Sequence, residues 1–278
     1  MKGIIAFDID GTLTHQLDWI DPKVVKALQE LGERGWQVAL LTGRIFSFAW
    51  QILQNLHFPY LLAVQNGADI LTMPGKEHLQ QNYLGPEILP EIEAAYEGNS
   101  EDFIIYAGID KGDSCYYRPE RFSKKVIHYL NKLESLGAAP WQSSDFVFAK
   151  DVRFSLIKCF GEEGAMRQVH DKLQNNPNIE VSLICDPVDP SFFLNLITHP
   201  HANKGAVVHF LREHFNTPLV IAAGDDRNDI KMLQEADIAI VIETAPEEVL
   251  ACADIRARPA SELGILKAIE EAIALANR

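Results

Sequence analysis

Two aspartates one residue apart, Asp8 and Asp10, close an apolar run that begins at Ile4, and Gly11 and Thr12 follow them. Side chains alternate faces along an extended strand, so the two carboxylates share a face, roughly 6.6–6.8 Å apart along the backbone. Glycine and threonine stop the strand and turn the chain. A carboxylate at the carboxyl end of a buried strand sits where open α/β sheets gather their chemistry. It can attack phosphorus while its neighbour moves protons. Taken alone, the same five residues are also a strand end capped by aspartates.

Three further clusters sit at comparable junctions. Leu40-Leu41-Thr42-Gly43-Arg44 ends a second apolar run. A hydroxyl and backbone amides at a strand–helix junction suit a phosphate oxygen, and Gly43 lets the backbone come close. Thr42 serves equally well as a plain helix N-cap. Lys204, in Pro200-His-Ala-Asn-Lys204-Gly205-Ala206, opens a helix. A cation in the first turn opposes the helix dipole, so an anion held there would compensate it; a solvated surface lysine is the plainer reading. Val220-Ile-Ala-Ala-Gly224-Asp225-Asp226-Arg227-Asn228-Asp229 again ends a buried run in glycine and carboxylates. Asp225 and Asp229 fit the oxygen shell of a hard cation, whereas Asp226 and Asn228 also read as helix caps.

If the four clusters meet, Asp8, Asp10, Asp225, Asp226 and Asp229 converge in one cleft. Each like-charge pair at about 4 Å costs on the order of 4 kcal/mol at an effective dielectric of 20, and a phosphate ester adds more negative charge. Lys204 alone does not balance this. A divalent cation does, and Mg²⁺ suits carboxylates, carbonyls and retained waters. Without metal, at least one carboxyl is expected to titrate high.

The elements that must hold these residues come in two rhythms. Strands at 3–8, 36–41 and 60–64 alternate with helices at 22–33 and 45–56, with Asp21-Pro22 as the helix start. Near-continuous apolar strands with short crossovers indicate a doubly wound parallel sheet. From about residue 83 to 197 the order changes. The pattern predicts a hairpin over 103–107 and 114–117, a helix over 119–136, a strand over 151–159, a helix over 162–173, and strands over 179–185 and 192–197. This describes an inserted α+β segment on an antiparallel sheet. The first rhythm returns with helices at 204–215, 229–235 and 262–276 and strands at 219–223 and 238–241.

The chain has 278 residues, 47% of them hydrophobic, enough for one large or two modest cores. The net charge of −14 argues against nucleic acid or an anionic membrane as partner. No apolar run approaches the ~20 residues that span a bilayer, and the N-terminus carries no visible signal peptide. The scattered Cys115, Cys159, Cys185 and Cys252 read as buried free thiols, which suits the cytoplasm.

In this order and on these elements, the four motifs resemble the haloacid dehalogenase superfamily of phosphotransferases, over nearly the whole chain. The insert, with Val64-Gln65-Asn66-Gly67-Ala68 before it, resembles the Cof-type branch (subfamily IIB). So do Gly224–Leu233 and the later Ala245–Asp254. The resemblance implies a Rossmann-like core over 1–83 and 198–278 and a type C2B cap over 84–197. It implies Asp8 as the nucleophile that forms an aspartyl-phosphate and Asp10 as general acid and base. It implies Mg²⁺ held by Asp8, the Asp10 carbonyl and Asp225, with Asp229 supporting the metal's waters or orienting Lys204. Thr42, Gly43, Lys204 and Asn228 would hold the phosphoryl group. The role of Asp226 stays open, and Arg44 reads as a packing residue.

The function implied is a Mg²⁺-dependent phosphomonoester hydrolase of small phosphorylated metabolites. Two rivals are a sugar phosphomutase, for which no arginine cluster follows Thr14, and a non-enzymatic phospho-ligand sensor, which would not need Asp10. Substrate choice is expected from the cap, whose aromatic residues (Tyr106, Tyr116, Tyr117, Phe146, Phe148, Phe192, Phe193) read mostly as core. The loop from Thr14 to Trp19 is a further candidate for substrate contact.

Overall fold

In the computed structural model, which describes residues 1–136, 141–186 and 188–277, the run ending at Asp8 becomes strand β1 (Gly3–Asp8), buried along its whole length. The chain continues through α1 (Pro22–Glu33), β2 (Trp36–Leu41), α2 (Phe46–Leu53), β3 (Tyr60–Val64), β4 (Asp69–Met73) and β5 (Glu77–Gln81). It then leaves this sheet and returns as α6 (Lys204–His214), β12 (Val220–Gly224), α7 (Ile230–Glu235), β13 (Ile238–Ile242), α8 (Glu247–Leu250), β14 (Ile255–Ala257) and α9 (Gly264–Ala276). The sheet order is β14-β13-β12-β1-β2-β3-β4-β5, parallel from β14 to β3 and antiparallel at β4 and β5. Ile5 and Phe7 cluster with Leu28 of α1, Ile52 of α2 and Ile269 of α9 on one face. Ile4 and Ala6 cluster with Val207 of α6 and Met232 of α7 on the other. Helices therefore cover both faces of the doubly wound sheet. The start of α1 follows from Asp21, whose carboxylate accepts from the Lys23 N–H at 2.8 Å, with Pro22 in the first turn.

Between the two passes lie α3 (Leu89–Tyr96), β6 (Phe103–Tyr106), β7 (Cys115–Tyr117), α4 (Lys124–Leu136), β8 (Trp141–Ser143), β9 (Leu156–Gly161), α5 (Glu163–Leu173), β10 (Glu180–Cys185) and β11 (Phe193–Thr198). They form a second sheet in the order β10-β11-β9-β6-β7-β8. Its neighbours are antiparallel except β7 and β8, which run parallel, against the expectation of a purely antiparallel sheet. Helices α3 and α5 pack on one face and α4 on the other.

Some predicted bounds move for local reasons. The helix expected from 119 begins at Lys124: Phe122 is extended (ψ 143°), and the Ser123 hydroxyl accepts from the Val126 N–H at 3.3 Å, a side-chain cap. The strand expected over 151–159 starts only at Leu156, because Phe154 pairs instead with Leu84, N to O in both directions. Cys115 and Cys159 are buried free thiols as expected, but Cys252 is half-buried and Cys185 is exposed at the end of edge strand β10.

Candidate active site

The parallel register brings the motifs together. Phe7 pairs with Ala223, so Asp8 at the end of β1 lies beside Gly224 and Asp225 at the end of β12. Past β1 the chain turns at Gly11, whose φ of 83° favours glycine. A β-carbon there would sit 2.1 Å from Asp225 Oδ2, so only glycine lets the two segments approach this closely. Past β12, Asp226 accepts from the Arg227 N–H at 2.8 Å and caps the turn Arg227–Asp229. Asn203 caps α6 by accepting from the Ala206 N–H at 2.9 Å, which sets Lys204 in the first turn.

Lys204 is no surface lysine: it is 1% exposed. Its ammonium donates to Asp8 Oδ1 and, at 2.6 Å, to Asp229 Oδ1. The other Asp229 oxygen accepts the backbone N–H groups of Asp225 (2.9 Å) and Asp226 (3.1 Å), so Asp229 ties Lys204 to the β12 turn. Thr12 donates its hydroxyl to Asp225 Oδ1 at 2.8 Å. Burial would lower the Lys204 ammonium, but Asp229 and Asp8 outweigh it and hold it charged. Burial pushes the Asp8 carboxyl well above the usual range; Lys204 pulls it back, and repulsion from Asp229, Asp225 and Asp10 raises it again. Asp225 rises to about 7, through burial first and Asp229 second. The carboxylates thus outnumber the cation at their centre.

Asp8, Asp225 and Asp229 each offer a carboxylate oxygen within 4.8 Å of the others, a donor set of hard oxygens that suits a divalent cation. Since both Asp229 oxygens already accept hydrogen bonds, Asp8 and Asp225 are the freer donors of the three.

Asp10 lines the same cavity as Asp8, and its carboxylate is gripped by Arg44 through Nε at 2.8 Å and through a second guanidinium nitrogen. Arg44 also donates to the Leu17 carbonyl at 2.9 Å and stacks on Phe48 at 4.1 Å. It therefore packs, as expected, but packs onto Asp10. Gly43 and Asn228 line the cavity as well. Thr42 is fully buried; its N–H is spent on the Ala63 carbonyl, and its hydroxyl accepts from the Arg44 N–H at 3.1 Å, leaving the hydroxyl proton as its available donor. Asn228 does not cap a helix; it donates to Asn66 Oδ1 at 3.2 Å.

Sequence reasoning assigned no part to Thr12 or Asn66. Thr12 closes the first aspartate motif, and Asn66, at a φ of 58°, stands in the Gln-Asn-Gly turn after β3. Both signals were present as strand-end polar residues on the same sheet edge. The loop from Thr14 to Trp19 is absent from the cavity wall: the Thr14 hydroxyl donates to the Trp19 carbonyl at 2.8 Å, and Trp19 faces solvent.

Comparison with known proteins bears on this geometry. The family model of haloacid dehalogenase-like hydrolases matches residues 5–269. A phosphoglycolate phosphatase of Methanoculleus marisnigri is 34% identical, over 91% of this chain and 89% of its own. An HMP-PP phosphatase of Cronobacter sakazakii is 26% identical, over 90% and 88%. The solved structure of a subclass IIB sugar phosphatase of the same superfamily superposes with a TM-score of 0.74 at 24% identity, covering 96% of this chain and 98% of that one. Asp8 and its neighbours thus stand on the strand ends of a chain that belongs to the haloacid dehalogenase-like hydrolase family, and the enzyme is a phosphatase.

Proposed function

We propose that this enzyme is a Mg²⁺-dependent hydrolase of small phosphomonoesters that works through an aspartyl-phosphate on Asp8. The observation that carries the reading is the buried Asp8–Lys204–Asp229 cluster, set beside Asp225 and opening onto a cavity that Asp10 also lines. Asp8 attacks phosphorus, and Asp10 delivers a proton to the departing oxygen. Asp10 then takes a proton from the water that cleaves the acyl-phosphate. Lys204 keeps a positive charge against Asp8 throughout, and Arg44 fixes the Asp10 carboxylate at the cavity. Gly43, Asn228 and the Thr42 hydroxyl offer donors to the phosphoryl oxygens. Asp8, Asp225 and the Asp10 carbonyl would hold Mg²⁺, which when bound neutralises charge on those oxygens. Asp226 serves as the cap of the β12 turn.

In this reading residues 1–83 and 198–278 form the catalytic core and 84–197 the cap, a division supported by the two separate sheets. The relatives' names, phosphoglycolate and HMP-PP phosphatase, support small phosphorylated metabolites as substrates. The reading places the enzyme in the cytoplasm, in keeping with four free thiols; among the described residues no helix is long and apolar enough to cross a membrane.

The test is phosphate release from acetyl phosphate and a panel of phosphorylated metabolites, with Mg²⁺ and with chelator. Asp8→Asn and chelator each abolish release, and Asp10→Asn retains ligand binding while turnover is lost. Release that survives Asp8→Asn would overturn the mechanism.

A further inference from the structure

The cavity above Asp8 has about 310 Å³ of space, and its far wall differs in kind from its floor. The floor is Asp8, Asp10, Asp225 and Asp226. The wall is one face of the second sheet. Register places Ile184 opposite Leu194, Leu196 opposite Lys158, and Leu156 opposite Tyr106. Lys158 is therefore one ammonium framed by leucines. Its Nζ lies 3.3 Å from the Tyr129 hydroxyl and 4.0 Å from Asp186 Oδ2.

Tyr129 spends its own proton on Asp186 Oδ2, and Asp186 Oδ1 accepts from the Val188 N–H at 2.8 Å. Asp186 and Tyr129 are thus satisfied, whereas Lys158 has three donors and a single hydrogen bond. With Asp186 beside it, the pair carries no net charge. The wall is mainly apolar, with the Lys158 ammonium and the Tyr106 hydroxyl as its donors, and its one cation already stands beside Asp186, leaving none for a second anion.

We propose, building on the phosphatase reading above, that this wall selects the phosphate monoester of a neutral aromatic or heteroaromatic alcohol whose ring carries an acceptor for Lys158. A dry apolar space of roughly 150 Å³ holds benzene, so the cavity has room for a ring and its phosphate. A sugar would instead turn several hydroxyls toward leucine and isoleucine, more than Lys158 and the Tyr106 hydroxyl can partner. A second anionic group would meet the aspartate floor or the neutral Lys158–Asp186 pair.

The test compares kcat/KM, with Mg²⁺, for 4-pyridylmethyl phosphate, benzyl phosphate, glucose 6-phosphate and acetyl phosphate, the last too small to reach the wall. Pyridylmethyl phosphate is expected to exceed glucose 6-phosphate at least tenfold. Lys158→Met is expected to lower the pyridylmethyl-to-acetyl ratio about tenfold and to leave the benzyl-to-acetyl ratio within twofold, a split that mere unfolding does not produce. Ile184→Asn, on edge strand β10, is the second variant; it is expected to shrink the preference for pyridylmethyl over glucose 6-phosphate at least fivefold. Glucose 6-phosphate equal to or better than pyridylmethyl phosphate, or ratios unmoved in both variants, would overturn the assignment while leaving acetyl phosphate turnover, and the phosphatase reading, intact. Absence of acetyl phosphate turnover in the wild-type enzyme would overturn both.

Discussion

Of the buried cations that sit against carboxylates, Arg118 and Lys204 differ most in balance. In the second sheet, Arg118 donates Nε and a terminal nitrogen to the two oxygens of Asp102, at 2.6 and 2.7 Å, and its remaining terminal nitrogen to Glu93 at 2.6 Å. The guanidinium also stacks on Phe146 at 4.1 Å. Every face of that fork has a partner. Lys204, at the start of α6, meets Asp8 and Asp229, with Asp225 close behind, and burial first, with the neighbouring carboxylates adding to it, drives Asp8 and Asp225 upward. A matched buried pair holds a fold together. An overmatched one beside a cavity calls for a further cation, and in the proposed reading that imbalance marks the functional site.

The contrast can be broken by removing each cation. Lys204→Ala is expected to lower kcat/KM for acetyl phosphate by about 10³-fold, near 4 kcal/mol in the barrier, because no ammonium of the protein then opposes the charge on Asp8 and the phosphoryl group. Steady-state kinetics checks this; a loss below tenfold would place Lys204 outside the chemistry. Arg118→Ala is expected to do the reverse. It strands Asp102, 4% exposed, and costs about 3–5 kcal/mol in urea unfolding, while turnover per folded molecule stays within threefold. If activity falls with Arg118 and stability does not, the two clusters have been assigned the wrong way round.

The same contrast explains what was legible in the sequence. The carboxylates of the Lys204 site belong to short contiguous motifs at strand ends, which a parallel sheet collects on one edge, and Lys204 stands in a short motif that opens helix α6. Asp8, Asp225, Asp229 and Lys204 could therefore be gathered without coordinates. The Arg44 grip on Asp10 could not, because a lone arginine does not announce its partner. The cavity wall was illegible for a related reason: Tyr106, Lys158, Ile184 and Leu194 come from four strands, one residue each, and only antiparallel register joins them. Strand β5 escaped detection because Glu77–Gln81 is an edge strand, largely exposed, with no apolar alternation to betray it. The Pro74-Gly75 turn before it was the remaining signal.

Another buried carboxylate, that of Asp69, sharpens the comparison, since among the described residues it has no lysine or arginine ion-pair partner. Asp69, fully buried at the start of β4, accepts from the Tyr83 hydroxyl at 2.8 and 2.9 Å and from Gln81 Nε2 at 3.2 Å, with His78 Nδ1 3.5 Å away. Burial outweighs these donors and lifts its carboxyl from 3.8 to about 6. The folded protein therefore keeps a proton that the unfolded chain has already released between these two values. Stability from this group is complete below pH 4 and is lost as pH rises through about 6, by at most about 3 kcal/mol. Asp69→Asn, which holds a neutral group at every pH, is expected to flatten that part of the profile. Urea unfolding of wild type and variant at pH 4 and pH 6.5 measures it. Equal losses in the two proteins would mean that the hydrogen bonds from Tyr83 and Gln81 already suffice, and that a buried carboxylate here needs neither a cation nor a proton.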